Sequence, residues 1–249
     1  MALRDAPTLE EVELTLDTQG WVVLRLDGHA FTRRAARYDR PFDPDFHAAM
    51  RAATQAVLSE CPAAFAHTAS DEISLFFAPG TNWFAGRLAK WLTTSAGVAS
   101  SALSREMAKF EGLPSVDARA FATTDESGAV DYLAERLRSS ERNCRQGYVY
   151  YTLLSQGLSG HAADVRQRAM SITEALTYVP TDAPAWQRYG ALAFYELVPH
   201  EGIDPRDGSV HPTTRRRLRL CDAPSAHSLA DSDLAAQLLA SRAAKVEPR

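Results

Sequence analysis

Trp21-Val22-Val23-Leu24-Arg25-Leu26 is an almost unbroken apolar run with β-branched members, which predicts a central strand. Asp43-Pro44-Asp45 then supplies helix-start chemistry, and Phe46, Ala49, Met50, Ala53, Val57 and Leu58 follow at helical spacing until Cys61-Pro62. Two short strands come next, Phe65 to His67 and Ile73 to Phe77, around a hairpin Thr68-Ala69-Ser70-Asp71. Pro79-Gly80 breaks the second strand. A long helix is expected from about Asn82 to about Phe110, with Trp83, Phe84, Leu88, Trp91, Leu92, Leu103 and Met107 on its apolar face. Gly112 and Pro114 close it, and Val116 to Ala122 alternates as a fourth strand.

The order β-α-β-β-α-β is the split βαβ pattern of ferredoxin-like folds, and it also underlies the palm of polymerases and nucleotide cyclases. The fold class expected is therefore α+β, a palm over residues 1–125 with a mainly helical extension over 126–249, packed on it as one compact unit. In the extension the pattern predicts helices over Ala129 to about Leu158 and Ala162 to about Thr177, then a strand from Gly190 to Val198. Gly202 to Thr214 reads as a mobile loop, Arg215 to Leu220 as a short basic strand, and the tail after Asp231 as a surface helix.

On this palm two carboxylate motifs stand out. Asp27-Gly28 ends the first strand, and Ser70-Asp71-Glu72 opens the third. Each alone is ordinary, since Asp-Gly is a common turn and an acid at a hairpin tip is unremarkable. On neighbouring strands, however, Asp27 and Asp71 converge at the sheet rim. Close carboxylates repel unless a cation lies between them, and Mg²⁺ takes one or two carboxylates together with substrate phosphates. That is the core of a two-metal phosphoryl or nucleotidyl transfer site. The tight turn Gly28-His29-Ala30-Phe31-Thr32 offers backbone N–H groups to polyphosphate oxygens, with Phe31 either a core plug or a platform near the base. Lys90, on the long helix, either snorkels to solvent or supplies a point charge for phosphate.

The 249 residues are 45% hydrophobic and 23% charged, ordinary globular values. No apolar run approaches a membrane span, and the start Met1-Ala2-Leu3-Arg4-Asp5 has no export-type apolar region, so a cytoplasmic place is expected. Cys61, Cys144 and Cys221 lack zinc-like spacing and read as inert free thiols. A net charge of −4 argues against non-specific coating of nucleic acid. Local basic clusters remain at Arg33, Arg34, Arg37 and Arg40, at Arg136, Arg138, Arg142 and Arg145, and at Arg215, Arg216, Arg217 and Arg219. Each is as readily a solvated face.

The blocks Val23-Leu24-Arg25-Leu26-Asp27-Gly28-His29-Ala30-Phe31, Ser70-Asp71-Glu72-Ile73-Ser74, Thr81-Asn82-Trp83-Phe84 and Gly86-Arg87-Leu88-Ala89-Lys90 together resemble the tRNA-His guanylyltransferase family, including its Thg1-like 3′-to-5′ polymerases. Asp117-Ala118-Arg119, and Asp131-Tyr132-Leu133 with Arg136 and Asn143, extend the resemblance over roughly residues 10–200. It implies that Asp27, the Gly28 carbonyl and Asp71 hold two Mg²⁺ ions, with Glu72 supporting the site. It implies triphosphate binding by Ser70, Arg87, Lys90 and the backbone of Gly28, His29, Ala30, Phe31 and Thr32. Asp43 would face a guanine base, so that Asp43→Ala mainly relaxes base choice, and Arg136 and Asn143 would contact a second nucleotide or the RNA 5′ end. GTP, with ATP as a further nucleotide, would be substrate, tRNA or another structured RNA the acceptor, and a homo-oligomer (tetramer or dimer) the assembly, with the long helix and its Trp83 and Trp91 a possible interface.

The chain departs from the family where His29 replaces the usual Arg and Thr32 the usual His. Its helix motif reads Glu135-Arg136-Leu137-Arg138-Ser139, and a later Lys-Asn-Glu motif is reduced to Ile172-Thr173-Glu174. These departures suit a divergent, bacterial-type member. Two rivals stay open: a palm-fold cyclase or nucleotidyltransferase acting on a small molecule, and a non-catalytic RNA-binding homologue.

Overall fold

The structure, a computed structural model, describes residues 13–123, 125–231 and 233–241. Met1 to Asp5, read above for an export signal, lie outside the described residues. In chain order the elements are β1 (Trp21–Gly28), α1 (Phe31–Arg34), α2 (Pro44–Glu60), β2 (Phe65–Ala69), β3 (Glu72–Phe77), α3 (Leu88–Glu106), β4 (Val116–Thr123), α4 (Glu126–Ser155) and α5 (Gly160–Ala169). They continue with α6 (Ile172–Leu176), α7 (Ala185–Tyr189), β5 (Ala191–Ile203), β6 (Val210–Asp222), α8 (Ala226–Ala230) and α9 (Leu234–Ala240).

The strands form one six-stranded sheet in the order β4-β1-β3-β2-β5-β6, antiparallel at every pairing. Strand β3 lies between β1 and β2, as the split βαβ pattern requires, and the fold is a palm-type α+β fold. Its apolar runs are continuous because both faces of the sheet are covered. Val22, Leu24 and Leu26 face α2 and α3, where Met50, Val57, Trp91 and Leu103 complete one core. Trp21 and Val23 face the other way, toward Leu133 and Leu137 of α4, Leu229 of α8 and Leu238 of α9. Each such fully buried side chain contributes about 1.5–3 kcal/mol of transfer free energy.

Several expectations need correction. The long helix starts at Leu88, not near Asn82, because Phe84, Ala85 and Gly86 have φ of 48°, 51° and 76° and cannot continue a right-handed helix. Trp91 is fully buried and so offers no interface surface, while the half-buried Trp83 stacks on Phe77. The single helix expected over 162–177 is two, α5 and α6, split where the Ser171 hydroxyl accepts the Glu174 N–H. The expected mobile loop is mostly ladder. Strand β5 runs to Ile203 and β6 starts at Val210, leaving 204–209 as the turn. Pro212 is tolerated there because β6 is the sheet edge.

Candidate active site

Antiparallel register between β1 and β3 places Asp27 directly opposite Glu72. The Gly28 N–H then donates to the Asp71 carbonyl over 3.1 Å, locking the β2–β3 turn against the end of β1. The turn itself is tight: Ser70 has φ of 54°, and its hydroxyl donates to Asp71 Oδ1 over 3.1 Å. Gly28 is required by packing, since a Cβ there would lie 2.5 Å from the Phe31 ring. Asp27, Asp71 and Glu72 all line one cavity of about 350 Å³, which also meets α1, the start of α2, α4 and α7.

Charge makes this an unusual place. Burial pushes the Asp71 carboxyl above the ordinary carboxylate range, and the Asp27 charge adds to the rise against the pull of its own N–H, Ser70 and Arg40. Burial also raises Glu72, against the guanidinium groups of Arg136 and Arg25. Arg136 Nε lies 2.9 Å and Arg25 Nε 3.7 Å from Glu72. Neither Nε makes a directed hydrogen bond, so the grip on Glu72 is electrostatic. Glu72 thereby ties β1, β3 and α4 together, leaving Asp27 and Asp71 as the oxygen donors suited to a hard divalent cation. Among the described residues no group of three or more His, Cys, Asp or Glu side chains gathers as a metal cluster.

The remaining predicted residues separate into those the fold brings here and those it does not. Arg136 and Asn143 line the cavity with Ser140 and Gly147, one face of α4 at helical spacing. Thr32 lines it as well, while the Phe31 ring is packed against Phe46 and Phe110 and belongs to the core. The His29 N–H is occupied by the Ser115 carbonyl at 2.9 Å. Arg87 and Lys90 are elsewhere. Helix α3 begins where β3 ends, beside the start of β1: Arg87 bridges Thr15 and pairs with Glu13 at 3.3 Å, and Lys90 is exposed. Its other end meets the Asp27 side, where Ser100 Oγ accepts the Val116 N–H. The Lys90 side chain therefore does not reach the carboxylates of its own chain.

Asp43 lines the cavity but is engaged as the N-cap of α2. One oxygen accepts the Asp45 and Phe46 N–H groups at 2.7 and 3.1 Å, and the other accepts from Asp39 at 2.9 Å and Lys109 Nζ at 3.3 Å. Burial alone would raise its pKa, but the N–H donors of Asp39, Phe46 and Asp45 and the Lys109 ammonium outweigh it and hold it below the ordinary value. A depressed carboxylate stabilises the fold above its unfolded pKa and loses that contribution as pH falls through the folded value. Asp43→Ala is thus expected to cost about 1–2 kcal/mol at neutral pH, read as a denaturant midpoint, with the difference shrinking in acid.

Sequence reasoning missed Arg40, Phe42, His47 and Trp186. Arg40 donates to the carbonyls of Thr32 and Ala35 at 3.1 and 3.2 Å, lines the cavity, and is the cation felt by Asp71. Its membership of a basic cluster was the available signal. A larger cleft of about 540 Å³ lies between α4, α5 and α6, but the one acid lining it, Asp164, is paired with Arg168. It lacks the paired carboxylates.

The sequence model of the family described as tRNAHis guanylyltransferase matches residues 7–124. The tRNA(His) guanylyltransferase of Neurospora crassa is 29% identical over 157 residues, 58% of this chain and 54% of that protein. A probable tRNA(His) guanylyltransferase of Homo sapiens is 32% identical over 145 residues, 55% of this chain and 49% of its own length. The chain thus spans about half the length of the curated relatives it matches. Among solved structures, the tRNA(His) guanylyltransferase of Saccharomyces cerevisiae superposes with TM-score 0.67 at 22% identity, covering 73% of this chain and 88% of that one. A bacterial tRNA(His) guanylyltransferase-like protein in complex with GTP gives 0.66 at 19% identity, covering 91% and 92%. At these identities the structures establish the shared fold. The family match, over a little under half of this chain, thus runs through both Asp27 and Asp71 on a palm shared with those solved structures.

Proposed function

We propose that this chain is a metal-dependent nucleotidyltransferase that adds nucleotides, GTP by preference, to the 5′ end of tRNA or a tRNA-like RNA in the 3′-to-5′ direction. The observation that carries the reading is the joint placement of Asp27 and Asp71 on one cavity with Arg40 and Arg136. The two carboxylates fit a hard cation: they are oxygen donors, and Asp27 lies close enough to raise Asp71 against the pull of Arg40. Asp27, Asp71 and the Gly28 carbonyl would hold Mg²⁺, in this reading two ions. Bound there, the ions would supply acidification of an attacking 3′-hydroxyl and neutralisation of the leaving polyphosphate.

The chain's own groups do the rest. Arg40 and Arg136 offer guanidinium N–H donors to phosphate oxygens, in place of Arg87 and Lys90, which do not line this cavity. Helix α1 has no side-chain cap, which leaves the N–H groups around Ala30, Phe31 and Thr32 suited to the same anion. Glu72 orients Arg136, and Asn143 lies further along the same face of α4 for the RNA end or a second nucleotide. A dimer or tetramer is the assembly the resemblance implies. It would have to use surface other than Trp91.

The test is incubation of a 5′-truncated tRNA with labelled GTP and Mg²⁺. The expected product is the RNA lengthened at its 5′ end. Label that stays mononucleotide-sized would replace this reading with a cyclase or a small-molecule nucleotidyltransferase.

A further inference from the structure

The cavity has a second end that the transfer chemistry leaves unexplained. Phe42, His47 and Trp186 line it. The His47 ring stacks on the Trp186 indole with centroids 4.3 Å apart and planes 15° from parallel, and Phe42 meets the same indole edge-on at 6.0 Å and 90°. All three are half-buried and keep ring surface on the cavity. Burial, with the Arg51 charge, lowers His47 to about 4, so its ring is neutral at physiological pH and acts as a π surface. Trp186 is held in place twice: the Tyr148 hydroxyl donates to Gln187 beside it, and the Gly190 N–H donates to the Trp186 carbonyl at 2.9 Å.

We infer that this aromatic wall stacks on the nucleobase of the nucleoside triphosphate whose phosphates lie at the Asp27 and Asp71 end. The inference rests on the nucleotide-transfer reading and extends it to the base. A volume of about 350 Å³, a wall of aromatic rings and a few polar groups at one end are the make-up of a small-molecule site. Stacking tolerates any base, because every base presents a π face. Asp43 sits one helical turn before His47, yet both its oxygens are engaged, so it does not read a base edge from this end. The wall therefore supplies affinity for a base, and any preference for GTP comes from contacts other than this wall.

Equilibrium binding of GTP, ATP and inorganic tripolyphosphate, each with Mg²⁺, to the full chain tests this. Trp186→Leu is expected to weaken GTP and ATP by roughly ten- to hundredfold and to leave tripolyphosphate unchanged. Trp186→Phe, which keeps a π face, is expected to restore most of the loss. Unchanged GTP binding in Trp186→Leu overturns the inference while the transfer reading stands. An equal loss for tripolyphosphate also overturns it, by making Trp186 structural. Trp186-dependent GTP binding by a protein that adds nothing to RNA supports the inference and removes the transfer reading. No GTP binding by the parent chain overturns both.

Discussion

Asp71→Asn is expected to reduce nucleotide transfer by roughly a thousandfold while leaving the metal-free protein at least as stable as the parent. The two halves of this outcome share one cause. Burial, and then the Asp27 charge, raise the Asp71 carboxyl above its ordinary range. A carboxyl raised in the folded state favours folding while protonated, and that contribution is lost as pH rises through its folded value. At pH above the ordinary carboxylate range Asp71 is therefore a cost to the apoprotein. Asn removes the charge yet can still accept from Ser70. A site residue that lowers stability and is needed for turnover fits the trade-off seen at functional sites. Thermal melts without metal and initial rates on a 5′-truncated tRNA measure the two halves. Retained turnover would move the site elsewhere. A melting point several degrees lower would make Asp71 a structural acid.

Gly190→Ala is the second large effect, and it acts on the fold. Gly190 has φ of 78° and ψ of −151°, a region essentially confined to glycine. A Cβ there would lie 2.1 Å from the Thr68 carbonyl oxygen and 2.7 Å from the Ala69 Cβ. Neither neighbour can move alone, because Thr68 and Ala69 belong to β2 and precede the Ser70-Asp71 turn. The Gly190 carbonyl also accepts the Ala223 N–H at 2.9 Å, and the neighbouring Tyr189 carbonyl bonds His67 Nε2 at 2.8 Å. Backbone strain and overpacking each cost about 1–3 kcal/mol, so a combined loss of roughly 3–5 kcal/mol is expected in chemical denaturation. A midpoint equal to the parent's would show that this close approach is not kept in solution.

Much of the palm is legible in the chain because a strand covered on both faces must be apolar throughout, as Trp21 to Leu24 are. The start of α2 is equally plain in Asp43-Pro44. The same Asp43 shows the limit: a residue can be matched to base recognition by resemblance and yet be needed as a cap. Its pairing with Lys109 joins segments far apart in sequence and leaves no local trace. Helix α6 was written in Ser171-Ile172-Thr173-Glu174, a capping-box pattern that apolar periodicity alone passes over. The left-handed backbone at Phe84 and Ala85 had no such sign, since apolar spacing runs smoothly through it.

For the site, the two acids are readable from strand order, whereas the place of the α3 cations depends on the direction in which β3 runs. A helix leaving the end of β3 must start at the rim away from Asp27, which removes Arg87 and Lys90 from this chain's own cavity. The Phe42, His47 and Trp186 wall is assembled from α2, the segment before it, and α7. Nothing in any one segment marks it.

The most direct test is a crystal of the protein soaked with GTP and Mg²⁺. The account predicts metal density between Asp27 and Asp71 and phosphates against Arg40 and Arg136. Triphosphate density in the cleft between α4, α5 and α6, or beside Arg87 and Lys90 with the two carboxylates bare, would contradict it.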